Sequence, residues 1–464
     1  MTNAPIVVRP VQVAPSTLLA LHARRPDRYP ALFESAAAGN VRGQHDILFA
    51  FPGERLTLHA HGRLVDARGE SSQEYFLDAL DRWWQQTAPR EAHDASSLPF
   101  TGGWLVYLGY ELAAQIEPSL KLHDDASGPV AQAIRMPAAI IRDHASGEAW
   151  LLAESDSAHL LDVMGRDLAE NPELPAYSAG VSLLAGAVVE DPPEHYLHAV
   201  ERALEYIAAG DIYQANLSRA WRAPLAATTL PHHVYQRLRH TNPGPFSGLV
   251  LIDDMAIVSS SPERLASVRD GIIETRPIAG TRPRGIDADS DGALARELHA
   301  NAKERAEHVM LIDLERNDVG RVCEAGSVEV NEFMTIESYA HVHHIVSNVR
   351  GRLRSDVTPG QALAAVFPGG TITGCPKVRC MEIIAELEGT ARGAYTGSLG
   401  YLNRDGSMDF NILIRTLQMA NGTIALRAGA GIVADSIAGN ELAESRAKAR
   451  GVLRALADTD ASTS

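Results

Sequence analysis

Short apolar runs bounded by turn residues recur along the chain, and these runs predict β-strands. The predicted strands lie at residues 47–53, 55–67, 147–155, 256–262 and 272–281. Asn421 and Gly422 separate two longer apolar runs, which is typical of a hairpin with a two-residue loop. Such a loop places Arg415 opposite Ala428 in the hairpin.

Apolar positions at helical spacing predict helices between these strands. The first helix is expected to follow Asp191 as its N-cap, to have Pro192 in its first turn and to end at Gly210. The other predicted helices cover residues 293–318, the segment from Pro376 with Thr373 as its cap, and residues 440–457. Strands and helices that alternate in this way indicate an α/β protein.

The segment at residues 187–193 is the best candidate for a domain boundary. We therefore expect an N-terminal region over residues 1–185, a larger domain over residues 186–458 and a disordered tail over residues 459–464. The chain contains no internal repeat at the spacing of a solenoid protein and no low-complexity tract.

Composition excludes several classes of protein. Of the 464 residues, 45% are hydrophobic and 22% are charged, which argues against a disordered or collagen-like chain. The 42 basic and 58 acidic residues give a net charge of −16, which argues against nucleic-acid and anionic-membrane partners but not against an anionic small substrate. The three cysteines form no CxxC pair, and neither a signal peptide nor a membrane span is evident. We expect a soluble cytoplasmic protein with free thiols.

Two ExxE pairs are the strongest candidates for metal chemistry. Glu304 and Glu307 form the first pair, and Glu441 and Glu444 form the second. Residues three apart share a helix face, so each pair presents two carboxylates side by side. Clustered carboxylates favour a hard cation such as Mg²⁺. Solvated helix faces with ion pairs to nearby basic residues such as Lys303 explain the same pattern, and both alternatives stay open at this point.

Other polar residues interrupt apolar segments. Arg415 lies in an apolar run and needs a partner, because an unpaired buried charge is costly. Gly429 and Gly431 either expose backbone N–H groups to an anion or allow close strand packing. The glycine-rich segment at residues 367–377 lacks the spacing of an ATP-binding loop. Residues 341–344 contain three histidines, which cannot all be ligands if they alternate along a strand. These patterns alone identify no substrate.

The chain resembles the chorismate-utilising enzymes over more than half its length. The matching segments are GDIYQANLSR, NPGPFS, SSSPERL, RPIAGTRPRG, AEHVMLIDLERNDVGR, YAHVHHIVSNVRG, FPGGTITGCPKVRCMEII, GAYTGSLGYL, IRTL and AGAGIVADS. They occur in the family's order from about residue 190 to residue 455, and LFES and PFTGGWLVYLGYEL give a weaker match before them. The resemblance implies an α/β (α+β) fold of two packed antiparallel β-sheets surrounded by helices, like anthranilate synthase component I. It makes residues 186–458 the chorismate-binding catalytic domain.

The resemblance also implies roles for individual residues. Glu307 and Glu444 match the Mg²⁺ ligands, while Glu304 and Glu441 match carboxylates that hold waters on the metal. Glu263 matches the general acid that assists departure of the C4 hydroxyl. The positions that match holders of the substrate carboxylates are Tyr395, Arg415, Gly429, Gly431 and Lys448. Those that match residues around the substrate ring are Gly280, Thr281, His344 and Thr371.

Gln214 indicates the class of reaction. Isochorismate and salicylate synthases have a lysine at the matching position to activate water, and glutamine cannot act as that base. The nucleophile is therefore expected to be ammonia. FPGGTITGCPK and NPGPFS resemble the aminodeoxychorismate synthases, which aminate C4, more than the anthranilate synthases, which aminate C2. Ala279 points the other way, because many aminodeoxychorismate synthases have there a lysine that attacks C2 covalently.

The resemblance further implies partners and a second ligand site. No cysteine lies in a glutaminase nucleophile turn, so ammonia is expected from a separate glutamine amidotransferase subunit. A downstream aminodeoxychorismate lyase would release 4-aminobenzoate for folate synthesis. Ser35, Pro245 and Phe246 match the family's tryptophan site without the wording of the anthranilate synthases, so tryptophan binding is expected to be weak or purely structural. A catalytically silent regulatory relative is the alternative from another class of protein.

Overall fold

The structure of the chain is a computed structural model, and it describes residues 6–35, 45–88, 98–125, 127–170, 172–174, 182–338 and 342–457. The strands in this part are β1 Ile6–Val11, β2 Ala31–Glu34, β3 His45–Ala50, β4 Arg55–Leu58, β5 Leu64–Val65, β6 Ser71–Ser72, β7 Gly103–Leu108, β8 Ala131–Met136, β9 Ala138–Asp143, β10 Ala149–Glu154, β11 Val189–Glu190, β12 Gln214–Pro224, β13 Phe246–Ile252, β14 Met255–Ser261, β15 Arg264–Arg269, β16 Ile272–Thr275, β17 Ile278–Pro283, β18 Glu329–Ser338, β19 Val342–Arg352, β20 Gly374–Cys375, β21 Ser398–Asn403, β22 Met408–Ile412, β23 Thr416–Ala420 and β24 Thr423–Ile432. The helices are α1 Thr17–Arg24, α2 Phe76–Thr87, α3 Ala113–Ile116, α4 Leu160–Ala169, α5 Pro193–Ala208, α6 Pro231–Thr241, α7 Ala288–Ala300, α8 Ala302–Gly320, α9 Pro359–Val366, α10 Lys377–Glu388 and α11 Ala438–Leu453.

The described strands form two antiparallel sheets of twelve strands each. The first sheet has the order β1-β10-β9-β3-β2-β13-β14-β23-β24-β12-β11, with β20 also paired to β12. The second has the order β17-β19-β16-β15-β22-β21-β7-β8-β4-β5-β6, with β18 also paired to β19. Both sheets combine strands from before and after residue 185. The N-terminal region and the larger domain therefore share the same two sheets.

Three apolar layers hold the sheets and helices together. Side chains of both sheets meet in one core cluster that includes Phe49 of β3, Tyr107 of β7 and Ile257 of β14. A second cluster lies between the second sheet and its helices, with Phe76 of α2 and Leu363 of α9. A third lies between the first sheet and helices that include α1, α4, α6 and α11. Two packed antiparallel sheets with helices outside are thus the architecture expected from the sequence.

The predicted hairpin is confirmed, but the position of Arg415 is not. Ala420 pairs with Thr423, so Asn421 and Gly422 form a two-residue loop, and both have positive φ values of 51° and 69°. Arg415 lies outside the hairpin, between β22 of the second sheet and β23 of the first, with a φ of 51°. The apolar run is broken because the chain crosses from one sheet to the other at this point.

The long helix predicted over residues 293–318 is two helices, α7 and α8. Asn301 ends α7 in an extended conformation, and its side chain accepts hydrogen bonds from the N–H groups of Lys303 and Glu304 at the start of α8. Asparagine is a preferred N-cap because its oxygen replaces a missing helix partner. The helical spacing of apolar residues continues across Asn301, so the sequence pattern does not show that one helix ends there and another begins.

Two predicted helix caps are also corrected. Asp191 does not cap α5, because its carboxylate accepts hydrogen bonds from the Ala220 N–H and the Arg222 guanidinium instead. Pro193 is the first residue of that helix, and Gly210 follows its end with a φ of 82°. The Thr373 hydroxyl donates to the Gly369 carbonyl and does not cap α10.

Cys323, Cys375 and Cys380 are free thiols, as predicted. In the described ranges, no helix combines the length and apolarity that a membrane crossing requires. His341 and the tail at residues 459–464 lie outside the described residues.

Candidate active site

Glu263 is a buried carboxyl at the junction between β14 and β15. Its backbone is held by two hydrogen bonds, from the Ile412 N–H to the Glu263 carbonyl and from the Glu263 N–H to the Ser261 hydroxyl. The side chain accepts a hydrogen bond of 2.7 Å from the Thr371 hydroxyl. Burial raises the pKa of Glu263 to about 7, although Thr371, Arg415 and Lys448 oppose the rise. A carboxyl with this pKa keeps a proton near neutral pH and is able to donate it.

Two cations approach the Glu263 carboxyl from different elements. The crossover between the sheets aims Arg415 at this region, and its carbonyl is fixed by the N–H and hydroxyl of Ser260. Burial lowers the pKa of the Arg415 guanidinium, and the negative charge of Glu263 opposes this shift. No other anion among the described residues contributes to it. Lys448 of α11 donates to the Gly429 carbonyl at 3.1 Å and pairs with Glu444 at 2.8 Å. A half-buried guanidinium without a bound carboxylate is suited to an anionic ligand.

His344 and the bulge between β17 and β19 form the next part of the site. Gly280 has a φ of 64° in this bulge, and a Cβ there would lie 2.9 Å from Glu304 Oε2. His344 Nδ1 lies 3.0 Å from the Thr281 hydroxyl and 3.2 Å from the Gly280 carbonyl. Burial lowers the pKa of His344 to about 4, and the nearby Arg415 charge contributes. The imidazole is therefore neutral at physiological pH and serves as a hydrogen-bonding group rather than a cation.

The two ExxE pairs face one another from α8 and α11. Burial raises the pKa of Glu307, and the charges of Glu304, Asp435 and Glu441 raise it further against the opposing charge of Lys303. Burial also raises the pKa of Glu441, to which Glu444 contributes. The four carboxylates thus form one acidic cluster, which the sequence could not show because the two pairs are more than 130 residues apart.

The acidic cluster has the donor chemistry for Mg²⁺ but not a preformed cage. In the described ranges, no three histidine, cysteine or acidic side chains are placed to hold a metal ion among themselves. Glu304 pairs with Arg282 at 3.2 Å, and Lys303 lies 3.9 Å from Glu307 and 2.8 Å from Asp435. Mg²⁺ commonly takes one or two protein carboxylates together with waters and substrate oxygens. The residues present therefore fit an ion that binds jointly with an anionic substrate.

Gln214, Gly429 and Gly431 lie where β12 and β24 pair. A Cβ on Gly429 would lie 2.0 Å from the Leu217 carbonyl, and one on Gly431 would lie 2.7 Å from Gln214 Nε2. Close packing of the two strands thus requires Gly429, whether or not its N–H also binds an anion, whereas a side chain in place of Gly431 would first meet the flexible end of Gln214. The Gln214 amide lies against Gly431 and is nearly buried.

Tyr395 is buried in the loop between α10 and β21. The Arg392 guanidinium lies 5.5 Å from the centre of its ring. Burial raises the pKa of the Tyr395 phenol to about 12, so the hydroxyl stays protonated. In the described part of the chain, no hydrogen bond or ion pair joins Tyr395 to Glu263 or Arg415, so the structure relates these residues only through the elements that carry them.

Sequence reasoning did not identify several charged residues of this region. Arg282 and Asp435 pair with members or neighbours of the acidic cluster. Glu315 of α8 is buried at 6% exposure. A signal for Glu315 exists, because it lies four residues after Leu311 and four before Val319, on the apolar face of the helix.

Two of the residues predicted for tryptophan line a separate pocket of about 100 Å³ between the sheets. Pro245 and Phe246 line it together with Glu34, Arg264 and Asp409. Ser35 is buried beside Glu34 and is not among the lining residues. The pocket thus brings together two of the three predicted residues.

The charges in this pocket are paired within the protein. Arg264 binds Asp409 through two hydrogen bonds of 2.8 Å and 2.9 Å. Glu34 pairs with Arg239 at 2.9 Å and accepts a hydrogen bond of 2.7 Å from the Tyr235 hydroxyl. Each buried charge therefore already has a partner in the absence of any ligand.

Comparison with known proteins gives consistent matches over most of the chain. The sequence profile of chorismate binding enzymes matches residues 40–454. The chain is 40% identical over 443 residues to aminodeoxychorismate synthase component 1 of Bacillus subtilis, covering 92% of each sequence. It is 44% identical over 376 residues to anthranilate synthase component 1 of Thermus thermophilus, covering 80% of each. The crystal structure of anthranilate synthase component I from Streptococcus pneumoniae matches with a TM-score of 0.78 and 34% identity, over 89% of this chain and 93% of that one.

The chain therefore belongs to the family of chorismate binding enzymes. The resemblance seen in the sequence is confirmed, and so is the α+β fold like that of anthranilate synthase component I. The protein is a chorismate-utilising enzyme, and its relatives include both aminodeoxychorismate and anthranilate synthases at similar identity.

Proposed function

We propose that this chain is the chorismate-aminating component of an aminodeoxychorismate synthase. It would replace the C4 hydroxyl of chorismate with an amino group to give 4-amino-4-deoxychorismate, the precursor of 4-aminobenzoate and folate. The observation that carries the proposal is the buried Glu263 carboxyl, held by Thr371 and faced by Arg415 and Lys448. An acid beside two cations suits a dianionic substrate that must lose a hydroxyl group.

The residues of the site divide the reaction among them. Arg415 and Lys448 bind substrate carboxylates, and neutral His344 holds the ring edge by a hydrogen bond. Thr371 orients Glu263, which donates its proton to the C4 oxygen as the C–O bond breaks, so that the hydroxyl leaves as water. Ammonia forms the new C–N bond at C4, and the resulting ammonium group loses one proton, which restores Glu263. The reaction is therefore balanced in atoms and protons, and it needs no general base at the position of Gln214.

We further propose that Glu307 and Glu444 bind Mg²⁺, with Glu304 and Glu441 holding its waters. The ion, when bound, would supply positive charge to a substrate carboxylate. The protein's own contribution is a set of carboxylates whose pKa is raised by burial and, to a lesser extent, by mutual repulsion, and a cation relieves both effects.

Anthranilate synthase component I is the second candidate, and Ala279 is the observation that favours it. Ala279 precedes the Gly280 bulge at the edge of the proposed ring site. Its methyl group cannot form the covalent adduct expected of a lysine there. The C4 route therefore requires direct displacement by ammonia. We weigh the agreement of FPGGTITGCPK and NPGPFS with the aminodeoxychorismate synthases above this single residue.

The ammonia source is proposed to be a separate glutamine amidotransferase subunit. The relatives in Bacillus subtilis and Thermus thermophilus are both named as component 1 of their enzymes, which implies a second component there. A downstream lyase would then convert the product to 4-aminobenzoate. Nucleic-acid and membrane partners are not proposed.

Product identification tests these proposals. The purified chain is incubated with chorismate, Mg²⁺ and ammonium, and products are separated with and without added aminodeoxychorismate lyase. We expect chorismate to disappear and 4-aminobenzoate to form only when the lyase is present. Fluorescent anthranilate formed without the lyase would support the second candidate instead. Unchanged chorismate would indicate a catalytically silent relative.

A further inference from the structure

A second buried group of charged residues lies behind the proposed general acid and has no role in the mechanism above. It consists of Glu315 and Asp318 on α8 and Lys377 at the start of α10. Glu315 and Asp318 are 6% and 4% exposed. The Lys377 ammonium donates to Asp318 at 2.5 Å, so the charge of Asp318 is directly compensated. Within this group, Glu315 therefore has no cation bound to it.

Glu315 reaches Glu263 through one short turn of the chain. Helix α8 packs against the 3₁₀ turn Gly370–Ile372. A Cβ added to Gly370 would lie 3.3 Å from Glu315 Oε1. The next residue, Thr371, donates its hydroxyl to Glu263 Oε1 at 2.7 Å. Glu315 and Glu263 therefore contact adjacent residues of the same turn.

The surroundings of Glu315 leave its carboxyl sensitive to the charge on Glu263. Burial raises the pKa of Glu315 to about 7, and the charges of Asp318 and Glu263 add to the rise against that of Lys377. The Thr275 hydroxyl of β16 faces the same carboxyl and lowers its pKa, but it forms no hydrogen bond of normal geometry. Two neighbouring carboxyls titrate as a coupled pair when the charge on one shifts the pKa of the other by about one unit or more.

We propose that Glu315 is a positioning residue that sets the protonation of Glu263 across the Gly370–Thr371 turn. An ionised Glu315 disfavours the loss of a second proton from the pair, so Glu263 keeps its proton to higher pH than it would alone. The inference rests on the proposed role of Glu263 as a general acid. It assigns Glu315 no contact with substrate.

Infrared difference titration of the ligand-free protein tests the coupling without any enzyme assay. The stretch of protonated carboxyl groups is followed with pH in the wild type, in Glu263→Gln and in Glu315→Gln. In each variant we expect the remaining carboxyl to complete its titration about one pH unit below the last step of the wild-type pair. Variants whose remaining group titrates over the full wild-type range would overturn the proposal. If Glu315→Gln fails to fold, the Glu263→Gln titration alone decides the question.

The rate of chorismate consumption with ammonia gives an independent readout. The ratio of kcat for Glu315→Gln to that of the wild type cancels the ionisation of ammonia itself. We expect this ratio to fall by about 10-fold as pH rises from 6 to 8, since Glu263 loses its proton earlier in the variant. Glu315→Asp should restore part of the loss at high pH. A ratio that is constant with pH would assign Glu315 a purely structural role.

A matched control separates the effect from the general loss of a buried carboxyl. Asp81 is also buried with a raised pKa, but it binds Thr358 and the Gly360 N–H at the start of α9. Asp81→Asn should lower stability and leave the pH dependence of kcat unchanged. If the infrared coupling is present but chorismate is not consumed, the proposed function fails and the coupling stands. If chorismate is aminated but the two carboxyls titrate independently, only this inference fails.

Discussion

Two buried charged regions of this protein differ in whether the protein itself neutralises them. In the pocket between the sheets, Glu34 is bound by Arg239 and Tyr235, and Arg264 is bound by Asp409. In the candidate active site, the Arg415 guanidinium has no bound anion among the described residues.

The difference indicates which region awaits a ligand. A buried charge is stable only with a partner, so a charge without one marks a position that substrate must complete. The charged groups of the pocket between the sheets are already paired, so this pocket needs no ligand to supply partners for them. We therefore propose that chorismate binds in the region of Arg415 and Glu263, and we expect ligands at the other pocket to have little effect on activity.

The largest expected effect is that of Glu263→Gln. The amide keeps the size of the side chain but cannot donate an acidic proton, so kcat should fall by about 10²- to 10⁴-fold. Steady-state kinetics and circular dichroism would show loss of turnover in a folded protein. Full activity in the variant would remove Glu263 from its proposed role.

Arg415→Gln and Arg239→Gln compare the two regions directly. Loss of the Arg415 charge should raise KM for chorismate by about 10- to 100-fold, because a charged hydrogen bond to substrate is lost. Loss of Arg239 should leave KM unchanged but lower the free energy of unfolding by about 2 kcal/mol, because Glu34 loses its cation. Kinetics and urea unfolding of both variants measure the contrast. A raised KM in Arg239→Gln, or a lowered free energy of unfolding with unchanged KM in Arg415→Gln, would contradict the comparison.

Glu307→Gln tests the metal proposal. The Mg²⁺ concentration for half-maximal activity should rise at least about 10-fold, as it does when groups that support a metal site are removed. Asp313→Asn on the same helix is the control, since Asp313 is exposed and, among the described residues, its ion pair is with its helix neighbour Arg316. Activity that persists unchanged in excess chelator would exclude a required divalent cation.

Stability should depend on pH in a way that distinguishes Glu263 from Glu34, since burial raises the pKa of both carboxyls to about 7. Folded Glu263 binds more protons than the unfolded chain between about pH 4.5 and 7, so its contribution to stability falls as pH rises through this range. In Glu263→Gln, the decrease in the free energy of unfolding over this pH range should therefore be smaller by on the order of 3 kcal/mol. Glu34→Gln should instead lower stability, because it breaks the contacts with Arg239 and Tyr235. Urea unfolding at pH 5 and pH 8 checks both signs.

The smallest expected effect is that of tryptophan. Because Glu34, Arg264 and Asp409 are already paired, an amino acid would have to compete with existing contacts for the pocket. Added L-tryptophan should leave chorismate consumption nearly unchanged. Inhibition at low micromolar tryptophan would refute this expectation and show that the pocket is regulatory.

Local sequence patterns determined a substantial part of the fold. Short apolar runs bounded by turn residues located strands such as β3, β10 and β14, and the Asn421–Gly422 pair located the β23–β24 hairpin. The ExxE spacing put two carboxylates on one face of each helix. These features depend on residues within a few positions of one another, so the sequence contains their whole cause. The helix break at Asn301 was missed because the apolar pattern continues through it.

Only the tertiary structure decided which of these features meet. The crossing of the chain between the sheets, rather than a strand, positions Arg415, and the placement of α8 and α11 in the fold brings the two ExxE pairs near one another. Glu315 lies beside Glu263 only because α8 packs on the Gly370–Ile372 turn. Contacts between distant segments depend on how all the apolar faces are buried at once, and no local window of sequence encodes that arrangement.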